Sequence, residues 1–143
     1  MKWVTRRNAK VDRIACPWLV RRFVDPGAEF LFVGAAEVHD VAEREGAIPY
    51  DVEGVELGHV DGRYSFESII RKYGLEDAAL GLLARIVHGA DVSADQGVVP
   101  EAAGLHAIAH SFALVHGEDD LRKLELELPL YDALYAWCQA QVA

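Results

Sequence analysis

Cys16 and its neighbours are the first residues in this chain whose type and order could do chemistry. In Asp12-Arg13-Ile14-Ala15-Cys16-Pro17-Trp18-Leu19-Val20-Arg21-Arg22 a thiol directly precedes a proline, with arginines on both sides. Proline fits the first position of a helix, where its missing N–H would have had no intrahelical partner. The pattern therefore predicts a helix over residues 17–24 with Cys16 at its N-cap. A helix N-terminus and nearby guanidinium groups both attract anions and lower a thiol pKa. On that geometry Arg13, Cys16 and Arg22 would form an oxyanion pocket, and Cys16 would be a catalytic nucleophile with thiolate character. The competing reading makes Cys16 a small buried hydrophobe in the apolar stripe of Trp18, Leu19, Phe23 and Val24.

Two other residues suit a metal ion or an acid–base pair. His59 ends Val55-Glu56-Leu57-Gly58-His59 ahead of the turn signal Asp61-Gly62, where a side chain can leave an extended segment for a pocket. Asp91 ends Val87-His88-Gly89-Ala90-Asp91, where glycine would stop a helix and pass the carboxylate to a loop. If His59 and Asp91 met, with Asp51 as a further donor, mixed nitrogen and oxygen ligands would suit a divalent metal cofactor or acid–base catalysis. A hydrogen-bonded structural histidine and a turn acid are the alternatives, and spacing alone does not bring the residues together. His106 and His110 lie four apart, a separation that puts both imidazoles on one helix face. No glutamate follows His106, so this is not the metalloprotease pattern, and a surface or inter-helix pair is the simpler account. Tyr131, Tyr135 and Cys138 share one helix face, which at this spacing reads as core.

The elements that must position these groups change character halfway along. Lys2–Arg6 reads as a strand, residues 17–24 as a helix and Glu29–Val33 as a strand apolar on both faces. Residues 35–45 form an amphipathic helix with Val38, Val41 and Ala42 inward and Gly46 as its stop, and residues 47–52 a third strand. This βαβαβ order predicts an α/β or α+β sheet portion. Residues 55–60 continue as strand or extended chain before the Asp61-Gly62 turn. Beyond it the chain reads as helical. Phe66, Ile69, Ile70 and Tyr73 precede a stop at Gly74, and Asp77 caps a helix carrying Leu80, Leu83, Ile86 and Val87. Pro100 opens a helix with Leu105, Ile108, Ala109 and Phe112 inward, ending near Gly117. Residues 124–128 alternate like a strand but follow an Asp119-Asp120 helix start, which favours a helix broken at Pro129, with a last helix over residues 130–140.

Bulk properties narrow the class. A chain of 143 residues with 52% hydrophobic and 26% charged residues is expected to be one globular domain, spanning residues 1–143. Its net charge of -9 argues against non-specific nucleic-acid binding, although seven of the 14 Lys and Arg residues fall among the first 22. No apolar run has the length of a membrane span and no signal-peptide core follows the basic start, so a cytoplasmic protein without membrane insertion is expected. Two cysteines without a CxxC spacing do not suggest a disulfide. Homo-oligomerisation stays open.

Several segments together resemble one family. DRIACPWLVRRFVDPGAEFLFV at residues 12–33, GAIPYDVEGVELGH at 46–59, SFESIIRKYGLEDAAL at 65–80, LARIVHGAD at 83–91, PEAAGL at 100–105 and LYDALYAWC at 130–138 are similar to the ChrB-type domain of the chromate-resistance family. In longer members this domain forms the C-terminal part. The resemblance covers most of the chain and implies a part in bacterial chromate resistance, in which such proteins accompany an efflux system and act as chromate-responsive regulators. Members often carry cysteine where Tyr64 stands and arginine where His88 stands, so a two-thiol redox mechanism is not expected here. The resemblance implies a domain that binds or senses chromate or a related oxyanion near Arg13, Cys16 and Arg22. The alternatives are a metal-dependent oxidoreductase or hydrolase using His59 and Asp91, and a non-catalytic partner of an efflux system.

Overall fold

In the computed structural model, which describes residues 1–91 and 99–143, three short parallel strands come first and helices make up most of the rest. Strand β1 (Lys2–Arg6) lies between β2 (Glu29–Val33) and β3 (Ile48–Pro49), giving the order β2-β1-β3. The pairing aligns Trp3 with Phe30 and Ile48, and Val4 with Leu31 and Pro49. Trp3, Val4 and Thr5 are all buried, as expected of a central parallel strand covered on both faces. Helix α1 (Asp12–Phe23) covers the Trp3 face, where Ile14, Trp18 and Leu19 join the main core. Helix α2 (Val38–Glu45), entered through a 3-10 turn at Ala35–Glu37, covers the other face, where Val4 packs with Val38, Val41 and Ala47. Side chains alternate across a strand, so neighbouring Trp3 and Val4 feed two separate cores.

The first turn of α1 differs from the expectation. The helix begins at Asp12, not Pro17, and Cys16 is an interior helical residue rather than an N-cap. A proline inside a helix removes one hydrogen bond and crowds the preceding turn, at a cost of about 3 kcal/mol. Burial of Ile14, Ala15, Trp18 and Leu19 on both sides of Pro17 offsets it. The same logic carries helix α6 (Asp120–Val142) through Pro129 without a break. Leu124, Glu127, Tyr131, Tyr135 and Cys138 form one buried stripe at spacings of three and four, and that stripe continues past the proline.

Strand β3 is shorter than residues 47–52. Pro49 has no N–H for the ladder, and Asp51 turns the chain with a positive φ of 51°. No strand forms over residues 55–60. The Asp61-Gly62 turn is present, both residues having positive φ, and Val60 and Arg63 exchange two backbone hydrogen bonds across it.

Helix α3 (Ser65–Lys72) is followed by Gly74 at φ 60°. The Asp77 carboxylate accepts the N–H groups of Ala79 and Leu80 and starts α4 (Ala78–Asp91). Gly89 does not stop α4: it is buried inside the helix, which runs on to Asp91. In α5 (Glu101–His116), Ala102, Leu105 and Ala109 face the core, while Ile108 is 44% exposed instead of inward. No described helix is long and apolar enough to cross a membrane.

Candidate functional site

Parallel strands with helices on opposite faces leave a crevice at their C-terminal ends, where the chain departs to one face from one strand and to the other from its neighbour. Here a cleft of ≈ 780 Å³ opens at that edge, with Arg6 from the end of β1, Asp51 from the turn after β3, and His39, Glu53 and His59 in its lining.

Beside the cleft, Asp12, His59 and Asp91 each present a ligand atom, and these atoms all lie within 4.8 Å of one another. Asp12 comes from the start of α1, His59 from the loop before α3 and Asp91 from the end of α4. Asp51 is a fourth neighbour and the third acid, with its Oδ1 3.4 Å from His59 Nε2. The helices fix these carboxylates by their free N–H groups. The Asp91 carboxylate accepts the Asp12 N–H, and Asp12 Oδ2 accepts the Ser65 N–H at 3.2 Å. Ser65 Oγ donates to Asp51 Oδ1 at 2.6 Å. Asp51 is preceded by a second tie, because Thr5 Oγ1 donates to the Tyr50 carbonyl.

Three carboxylates crowd together here, with Asp12 and Asp51 buried and Asp91 less so. Asp12 is 1% exposed, and burial, followed by the charges of Asp51 and Asp91, pushes its pKa well above the usual carboxylate range. Asp91 is raised by burial and by Asp51, with His59 and Arg13 pulling the other way. Arg13 Nη1 stands 3.4 Å from Asp51 Oδ2, and Arg6 Nη2 stands 3.9 Å from the same oxygen. Two guanidinium groups thus gather on Asp51, while Asp12 and Asp91 lie against each other with His59 beside them. Ligands of a divalent ion at about 2.0–2.2 Å are about 3 to 4.4 Å apart, so a bound ion would draw this cluster slightly together.

His59 and Asp91 therefore meet, with Asp51 alongside. Asp12 was not among the expected ligands, because an acid in the first turn of a helix reads as a partner for the helix dipole. The sequence offers no reason to expect His39 at the cleft, and Arg6, one of the basic residues clustered near the start of the chain, reaches it only through tertiary folding. Cys16 is fully buried, its Sγ 3.7 Å from Asp12 Oδ1. Burial and the neighbouring carboxylates of Asp12 and Asp51 push its thiol pKa well up, the reverse of the depressed value expected from an N-cap. Arg22 does not join Arg13 in one pocket. The two lie nine residues apart on α1, about 13 Å along the axis, and Arg22 pairs with Asp132 at 2.9 Å and lies over the Tyr135 ring. The His106 and His110 rings lie with centroids 3.9 Å apart and planes tilted by 31°, and His106 Nδ1 is 2.8 Å from the Ala90 carbonyl. They gather no third His, Cys, Asp or Glu donor among the described residues.

Comparison with known proteins points in one direction. The family model described as the C-terminal domain of ChrB matches residues 3–138. Protein ChrB of Cupriavidus metallidurans is 38% identical over 109 residues, a stretch covering 75% of this chain and 32% of that relative. The chain thus spans about a third of the length of the curated relative it matches. No solved structure matches it.

Proposed function

This chain belongs to the ChrB C-terminal domain family, and on that premise we propose that it serves chromate resistance by binding chromate, or a similar tetrahedral oxyanion, through a divalent cation held by Asp12, His59 and Asp91. The observation that carries the proposal is the convergence of those three ligand atoms within 4.8 Å beside the cleft. A dianion has no reason to approach Asp12, Asp51 and Asp91 unaided, since like charges in a poorly solvated place repel strongly. Arg13 offers little compensation because it is largely buried and engaged by both Asp51 and the Asn8 carbonyl, whereas Arg6, also near Asp51, keeps 44% of its side chain exposed. A divalent ion reverses the local charge and leaves coordination positions for an anion on the cleft side, where Arg6 supplies a planar donor.

The donor set of one imidazole and two or three carboxylates suits zinc or manganese better than a soft, thiolate-preferring ion. Cys16 enters this reading only as a neighbour of Asp12 Oδ1. Metal analysis of the purified protein, followed by sulfate and chromate titrations before and after chelation, tests the proposal. One equivalent of metal and loss of oxyanion binding on chelation are expected. Undiminished oxyanion affinity in metal-free protein would overturn it.

The size of the cleft favours a second reading. A volume of ≈ 780 Å³ exceeds the needs of a four-oxygen anion and falls in the range that holds a drug-sized ligand. On this reading the domain is a metal-dependent hydrolase or oxidoreductase that acts on a larger molecule, with His59 and Asp91 at the metal. Turnover of such a substrate, dependent on both residues, distinguishes it from the binder.

A further inference from the structure

His59 is the least supported of the three clustered side chains. Its loop, residues 52–64, contains no strand or helix; the Asp51–Leu57 and Ser68–Gly58 hydrogen bonds and the Val60–Arg63 bridge hold the backbone, but the imidazole itself is 53% exposed. A ligand in that position would ordinarily lose rotamer freedom on binding an ion, which weakens the site. Ring stacking supplies the restraint here. The His59 ring lies on the Tyr64 ring with centroids 4.1 Å apart and planes 22° from parallel. Tyr64 in turn meets the His88 ring at 4.2 Å. His88 Nδ1 is 3.0 Å from Glu67 Oε1, the oxygen that also accepts the Tyr64 N–H at 3.4 Å.

The stack therefore reaches from the loop through the start of α3 to α4. His88 precedes Asp91 by three residues on α4, a spacing that places the two on neighbouring positions of one helix surface. The same helix thus carries a clustered carboxylate and the far end of the stack that steadies the clustered imidazole.

We propose that Tyr64, braced by His88 and Glu67, is the positioning residue that holds the His59 imidazole beside Asp12 and Asp91 and so sets the affinity of the cation site. The inference rests on the cation reading above. Its physical basis is that groups orienting a metal ligand are worth about 10- to 100-fold in metal affinity although they do not themselves bind the ion. The ring face is the part of Tyr64 that acts, so phenylalanine should replace it and a residue without a ring should not.

The test is a titration of the full chain with Zn2+ alone, after chelation, for wild type, Tyr64→Phe, Tyr64→Leu, Tyr64→Ala and His59→Ala. Tyr64→Phe should bind within about twofold of wild type, and Tyr64→Leu and Tyr64→Ala about 10-fold or more weakly. In the metal-free protein, NMR should show ring-current shifts of the His59 ring protons in wild type and Tyr64→Phe, and their loss in Tyr64→Leu. Leucine fills much of the volume without a π-face and serves if the alanine variant does not fold. Wild-type affinity in a folded Tyr64→Leu or Tyr64→Ala overturns the positioning role. So does a loss in Tyr64→Phe as large as in Tyr64→Leu, since the hydroxyl would then be responsible. Failure of wild type to bind Zn2+, with His59→Ala no different, overturns the cation reading itself.

Discussion

Glu127 gives the sharpest quantitative expectation. Its side chain is 1% exposed on α6, and neither carboxylate oxygen has a hydrogen-bond partner among the described residues. Lys123, one turn earlier, lowers its pKa only in part, because the ammonium is engaged by Asp120 at 2.9 Å and by the carbonyls of Ala9 and Gly117. Burial therefore dominates and raises the Glu127 pKa from 4.5 to about 8. The folded state then binds a proton that the unfolded state has released between those two values. Stability must fall as pH rises through that window and level off above it. A shift from 4.5 to about 8 corresponds to at most about 5 kcal/mol between the two plateaus, at about 1.4 kcal/mol per pH unit. Glu127→Gln removes the titration while keeping the shape. Urea unfolding followed by tryptophan fluorescence at closely spaced pH values should show wild type losing stability relative to the variant from pH 5 to 8. The difference between the two profiles is the quantity to read, because every other titrating group cancels in it. Parallel profiles would refute the reasoning and mean that Glu127 is solvated or paired.

Three further outcomes follow from other parts of the molecule. Asp12→Asn and Asp91→Asn should each lower bound metal strongly, whereas the double change His106→Ala with His110→Ala should leave it intact; elemental analysis decides, and loss confined to the histidine variant would move the site to α5. Arg6→Ala should weaken sulfate or chromate binding to the metal-loaded protein about 10-fold, while Arg44→Ala, on the solvent side of α2, should not; equal losses at fixed ionic strength would indicate diffuse charge. Iodoacetamide should modify Cys16 slowly in the folded protein even at pH 9 and rapidly in urea, because its thiol is buried and its pKa is raised; fast modification without denaturant would contradict the packing of α1.

The pattern of apolar residues, glycines and caps determines most of the elements. Lys2–Arg6 and Glu29–Val33 form strands around the apolar runs Trp3-Val4 and Phe30-Leu31-Phe32-Val33, Gly46, Gly74 and Gly117 close helices with positive φ, and Asp77 opens one with its carboxylate. These are local effects, settled by steric limits and hydrogen bonds within a few residues. Family membership is equally legible, because it lies in the order of residues. Where sequence reading went astray, a local rule met a tertiary one. Pro17 and Pro129 signal a helix start and a helix end, yet each sits beside a buried stripe whose packing outweighs one lost hydrogen bond. With Pro17 inside α1, Cys16 is a buried thiol beside Asp12 and not an N-cap residue.

The cluster itself is a product of the tertiary structure. Its four acidic and imidazole side chains come from residues 12, 51, 59 and 91, separated by up to 79 positions in the chain (91 − 12). Sequence could nominate His59, Asp91 and Asp51 by their places at element ends, and it gave no reason to add Asp12. What joins them is the parallel sheet, which starts α1 beside the ends of β1 and β3, and the packing of α3 and α4 against α1. Long-range packing decides which charges share a poorly solvated space, and the mutual effects of Asp12, Asp51 and Asp91 on one another exist only once the fold has closed around them.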